Sequence, residues 1–113
     1  MIARTWRGWT TPANAIAYEN FLKQTVFHQL RAIEGHRGVQ LLRCDLPGET
    51  EFMVINYFDS IEAVKRFAGK NYTIPVFEPE ARKLLSRIET EAHHYEVRTP
   101  ERYPQGNQQK QQS

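Results

Sequence analysis

Arg4 and Trp6 stand two residues apart in Ile2-Ala3-Arg4-Thr5-Trp6-Arg7-Gly8-Trp9. In an extended strand that spacing puts both side chains on one face, and Trp9 on the other. A guanidinium beside an indole can hold an anionic aromatic molecule by ion pairing and stacking. The competing reading makes Trp6 a core residue and Arg4 an interface or surface charge. Near the other end come His93, His94 and Tyr95. A histidine titrates near neutrality and is the obvious acid or base. On a strand His94 and Tyr95 diverge, whereas His93 and Tyr95 share a face. His28 falls near the end of a helical pattern, where a cation meets the dipole favourably, and His36, beside Gly35 and Gly38, reads as a turn residue. The four histidines show no metal-ligand spacing, so no metal is expected. The phenol of Tyr72 could hydrogen-bond a substrate carbonyl or act as a lid, or its ring could pack on Phe77. Asn56 is the one polar interruption of an apolar run, and a buried amide must find partners, so it binds substrate or bonds across an interface. No phosphate loop, dinucleotide fingerprint or nucleophile triad is present.

These residues need elements to hold them. Residues 2–9 read as a strand that stops at Thr10-Thr11-Pro12, a helix-start signal. Tyr18, Leu22, Val26, Leu30 and Ile33 recur at steps of three and four, which predicts a long amphipathic helix over 13–33, ended by Gly35. Strands over 39–44 and 51–58 flank the turn Leu46-Pro47-Gly48-Glu49. Asp59 or Ser60 caps a second helix that stops at Gly69. A loop over 71–79, a helical turn or two over 80–85 and a last strand within 88–97 complete the domain. The order β-α-β-β-α-β is the ferredoxin-like arrangement, an α+β fold with an antiparallel sheet and both main helices on one of its faces.

The chain has 113 residues, of which 40% are hydrophobic, 12% aromatic and 25% charged, so it makes one globular domain rather than a disordered chain or a disulfide scaffold. The domain is expected over 1–98. Residues 99–113, with Pro100, Pro104, Gly106 and a glutamine run, form a polar tail expected to be disordered, or else an arm laid on a partner subunit. The formal charge of +2 is too balanced to favour nucleic acid or an anionic membrane. Cys44 is the only cysteine, which excludes an internal disulfide, points to a cytoplasmic setting and reads most simply as a buried thiol. Nothing in the sequence reads as a signal peptide or a membrane span.

The strand over 51–58 carries more information. Phe52, Met53, Val54, Ile55, Tyr57 and Phe58 leave apolar side chains on both faces, because successive strand residues point in opposite directions. Helices of one short chain can cover only one face. The simplest cover for the other is a second copy of the same sheet, with an outward ligand site or a tolerated apolar patch as the alternative.

Residues 2–10, Phe67-Ala68-Gly69, Glu78-Pro79-Glu80-Ala81 and His94-Tyr95-Glu96-Val97 together resemble the antibiotic biosynthesis monooxygenase family, over residues 1–98. The resemblance implies a homodimer in which two ferredoxin-like sheets form an α+β barrel. Characterised relatives include cofactor-free oxidisers of polycyclic phenols, quinol monooxygenases and haem degraders. The haem degraders have a first-strand asparagine, a second-helix tryptophan and an iron-ligating histidine; here the latter two positions correspond to Phe67 and Phe77, and the first strand has no asparagine. Haem breakdown by that route is therefore not expected, and no cofactor is.

Cofactor-free oxygenation needs a dry aromatic pocket, a base, and a cation or donor for an oxyanion. The resemblance then assigns Arg4 to anion binding, Trp6 and Tyr72 to the aromatic wall, Asn56 to substrate binding and His94, at the motif position, to proton transfer. The function expected is oxygenation of a small aromatic or phenolic molecule. The alternative is a non-catalytic small-ligand-binding or stress-response homodimer of the same fold.

Overall fold

The computed structural model describes residues 1–75 and 77–99; beyond Thr99 the glutamine-rich tail lies outside the described residues. Strand β1 (Ile2–Thr10) runs through the middle of a five-stranded antiparallel sheet. On one side it pairs with β3 (Glu49–Phe58), which pairs in turn with the edge strand β2 (His36–Leu46). On the other side it pairs with β4 (Leu85–Ile88) at its C-terminal half and β5 (His93–Glu96) at its N-terminal half. The expected ferredoxin-like α+β fold is the one observed. A two-residue turn at Pro47 and Gly48 joins β2 to β3, with Gly48 at φ 80°, a conformation that costs glycine least.

The single last strand expected within 88–97 is two strands. Between them the chain leaves the sheet because Glu89 serves β1 with its side chain: its carboxylate accepts from the Arg7 backbone N–H (2.8 Å) and from the Arg7 guanidinium (3.0 Å). A carboxylate therefore does what a ladder bond would otherwise do.

The first helical region is also less regular than its periodicity predicts. A 3-10 turn (Pro12–Asn14) leads into α1 (Ala15–Phe21), a π-helical stretch (Leu22–Val26) and α2 (Phe27–Arg31). The Phe27 N–H bonds to the Leu22 carbonyl, five residues back. That wider turn puts Leu22 and Phe27 on the buried face and leaves Val26 half-buried, so an aromatic ring takes the place the period of four gives to valine. Helix α3 (Ile61–Ala68) starts at Ser60, whose hydroxyl accepts from the Ala63 N–H, and ends at Gly69 with φ 85°. Helix α4 (Pro79–Leu84) is short, and Leu85, expected to be helical, begins β4 instead.

Along β3 burial alternates strictly. Phe52, Val54, Asn56 and Phe58 lie under the helices, while Met53, Ile55 and Tyr57 face the other way and are half-exposed. The core under the helices includes Tyr18, Leu30, Phe52, Phe58 and Val64, all essentially without solvent contact. Burying each such side chain contributes about 1.5–3 kcal/mol. Among the described residues no element covers the second face of the sheet, so the double covering inferred from the apolar run is not met by this chain's own helices. Cys44 lies on that open face of the edge strand, opposite Glu51, and is exposed; the buried thiol expected from its residue type is not observed.

Candidate functional site

A cavity of about 370 Å³ lies between the helix-side face of the sheet and the helices above it. Trp6 and Val54 line its floor, and Tyr18, Leu22, Phe27 and Leu30 its roof. Trp6 can lie flat along β1 only because its neighbour on that face is Gly8. A Cβ at Gly8 would stand 2.5 Å from the indole Cη2 and 2.9 Å from Leu85 Cδ2. The indole N–H donates to the Glu89 carbonyl (2.8 Å), which fixes the ring in its plane, and Phe77 packs on it with centroids 5.1 Å apart.

Arg4 is two residues from Trp6 on the same face and is only 5% exposed. The sheet register places it between Asn56 of β3 and His94 of β5, its direct cross-strand partners. Its guanidinium lies over the Phe67 ring at 5.7 Å, donates to the Tyr72 backbone carbonyl, and sits 2.9 Å from His94 Nε2. A guanidinium has no acceptor, so His94 Nε2 must accept and the imidazole carries its proton on Nδ1. The Tyr72 ring meets His94 edge-on, centroids 5.0 Å apart. Among the described residues no carboxylate pairs with Arg4.

Burial, acting on an uncompensated cation, pulls Arg4 down to about 10, still protonated at neutral pH. Burial first, then the nearby Arg4 charge and His93, pull His94 down to about 4, so its ring is neutral at pH 7. The result is a fixed positive charge in a largely apolar chamber. Asn56 adds to it: its Oδ1 lies 2.9 Å from His36 Nε2, and a donating His36 leaves the amide N–H groups for the cavity that Asn56 lines. Guanidinium and amide together form a donor site for an oxyanion.

Of the residues singled out from the sequence, Arg4, Trp6 and Asn56 line the cavity. Tyr72 and His94 stand behind Arg4 and hold it. Tyr72 packs on His94 rather than on Phe77. His36, read as a turn residue, begins β2 and is the partner of Asn56; its flanking glycines hid this. Glu78 also lines the cavity, and its Oε2 is buried without a hydrogen-bond partner among the described residues. Its position before Pro79 marked only a helix start. No group of three or more His, Cys, Asp or Glu among the described residues is placed to hold a metal ion.

This geometry can be set beside known proteins. No protein-family model and no curated protein matches the sequence. Solved structures do. A Deinococcus radiodurans protein named for the antibiotic biosynthesis monooxygenases is similar at TM-score 0.63 and 12% identity, over 92% of this chain and 99% of that one. Rv0793 from Mycobacterium tuberculosis is similar at TM-score 0.63 and 19% identity, over 87% of this chain and 95% of that one. An arginine-to-serine variant of MhuD, solved with two manganese protoporphyrin IX molecules per active site, is similar at TM-score 0.56 and 20% identity, over 86% and 94%. The chain therefore has the fold of antibiotic biosynthesis monooxygenase structures; at these identities the likeness concerns the fold. No helix among the described residues is long and apolar enough to cross a membrane.

Proposed function

We propose that this chain is a cofactor-independent monooxygenase acting on a small aromatic or phenolic substrate, with residues 1–98 as the working domain. The observation that carries the reading is Arg4, a buried cation with no carboxylate partner among the described residues, lining a mostly apolar cavity beside an indole. An unpaired buried charge is costly, and a ligand anion that replaces its missing partner recovers that cost on binding.

In this reading a phenol binds as the phenolate. Arg4 and the Asn56 amide hold its oxygen, and Trp6, with Phe77 packed on it, walls one side of its ring. The guanidinium lowers the phenol's pKa and leaves the proton to water. The substrate supplies all four electrons: a phenol with an unsubstituted ortho or para position and one O2 become a quinone and one water. One oxygen atom enters the ring and the other leaves as water. His94 enters as the group that holds Arg4, since its Nε2 is already occupied; proton transfer through it would require the ring to leave the guanidinium. Tyr72 contributes its carbonyl to the same end.

The porphyrin seen in MhuD does not fit the residues here. Among the described residues no histidine, cysteine or methionine lines the cavity, and burial pushes the Tyr18 phenol up, away from the phenolate a metal would need.

The functional unit in this proposal is a homodimer in the cytoplasm. The open face of the sheet presents half-exposed Met53, Ile55 and Tyr57 beside exposed Leu42 and Tyr95, an apolar surface that a second sheet would cover. Light scattering on the wild type and on Ile55→Glu tests this: a dimer that the substitution splits supports it, and a micromolar monomer overturns it. For the activity, oxygen uptake is followed with hydroquinones and polyphenols, with Arg4→Ala as control. Uptake lost in Arg4→Ala is the expected result. No uptake with any compound overturns the oxygenase reading in favour of a binding protein.

A further inference from the structure

The cavity has a second polar pole. Glu78 lines the same chamber as Arg4 and is itself half-buried. The two opposite charges line one cavity yet make no ion pair. Each lacks what the other could have supplied. Among the described residues Arg4 has only a carbonyl and an imidazole as hydrogen-bond acceptors, and Glu78 Oε2 is buried with no donor. A buried carboxylate oxygen without a donor destabilises the empty protein. Glu78 also does no capping work for α4, since its side chain makes no cap hydrogen bond.

We propose that the cavity selects a two-ended ligand: a flat aromatic molecule with an anionic oxygen group for Arg4 and Asn56 and, across the ring, a hydroxyl or N–H that donates to Glu78. This rests on the pocket assignment made above and adds the substrate class and a specificity-determining residue. A single ring bearing a carboxylate and a para hydroxyl is the simplest ligand of this kind. An aromatic acid without the hydroxyl satisfies Arg4 and leaves Glu78 unpaired.

Calorimetric titration of the full-length protein with para-hydroxybenzoate, para-methoxybenzoate and benzoate tests the proposal. The hydroxylated acid is expected to bind about ten-fold more tightly than the other two, the size of one charge-assisted hydrogen bond. In Glu78→Leu the three should bind alike, and in Glu78→Gln, which keeps an acceptor without the charge, the preference should be intermediate. Glu78→Leu is expected to melt no lower than the wild type, because it removes the unpaired buried oxygen. Equal binding of the three acids to the wild type, a preference that survives Glu78→Leu, or no binding of any acid overturns the proposal. Preserved discrimination without oxygen uptake leaves it standing and removes the oxygenase reading alone.

Discussion

Arg4 and Arg7 lie three residues apart on the same strand and meet opposite fates. Arg7, on the open face, is 40% exposed, bonds to Glu89 at 3.0 Å, approaches Glu51 at 4.0 Å and lies over the Trp9 ring at 5.3 Å. Arg87 takes the other contact with that ring, at 3.8 Å, and pairs with Glu49 at 2.8 Å. Every cation in that cluster has a carboxylate. Arg4, on the covered face, has an imidazole, a carbonyl and an aromatic ring. Charges that serve structure alone are neutralised where they stand. Arg4, buried without an anion among the described residues, is the observation on which the proposed anion site rests.

The largest expected effect comes from removing that charge. Arg4→Met should weaken binding of an aromatic carboxylate or phenolate by about 100-fold, the loss of roughly 3 kcal/mol of charged hydrogen bonding, measured by calorimetry. A loss of only two- or three-fold would place the ligand elsewhere. Gly8→Ala comes next. Its Cβ meets Trp6 and Leu85 inside 3 Å, so the strand or the indole must move, at about 1–3 kcal/mol of stability in a denaturant titration. An unchanged midpoint would show that the indole does not need the bare backbone.

A smaller effect is expected from His94. Its pKa is depressed in the folded state, to about 4 from 6.5. The unfolded chain therefore binds more protons across that window, and stability should fall as the pH drops from about 6.5 towards 4. His94→Gln keeps an acceptor for Arg4 and should flatten this slope, by about 1 kcal/mol after screening by solvent. Equal slopes in melting temperature against pH would remove the Arg4 contact from the account. Least affected should be Arg7→Ala: an exposed pair costs at most about 1 kcal/mol, with ligand affinity unchanged. If it weakened binding as much as Arg4→Met, the contrast between the two arginines would collapse.

Much of this architecture was legible in the residues. Alternation along β1 put Arg4 with Trp6 and against Trp9, and local chemistry at Pro12, Ser60, Gly69 and Pro47-Gly48 marked where elements begin, end and turn. These signals are short-range, because φ preferences, capping oxygens and side-chain direction act within a few residues. Three features were not local. The π-helical stretch that exchanges Val26 for Phe27 depends on what the sheet offers below it. The break between β4 and β5 depends on Glu89 reaching Arg7, and the pairing of His36 with Asn56 depends on the register of a long hairpin.

The residue types alone thus establish an α+β chain with a cationic, aromatic first strand and a third strand apolar on both sides. Which polar groups meet is settled by cross-strand register and by the closing of helices over the sheet. Those contacts join residues up to 90 positions apart, between Arg4 and His94. They turn an arginine of unknown role into a buried charge held by a carbonyl and an imidazole, because only packing determines whether a charge keeps its water or needs a partner.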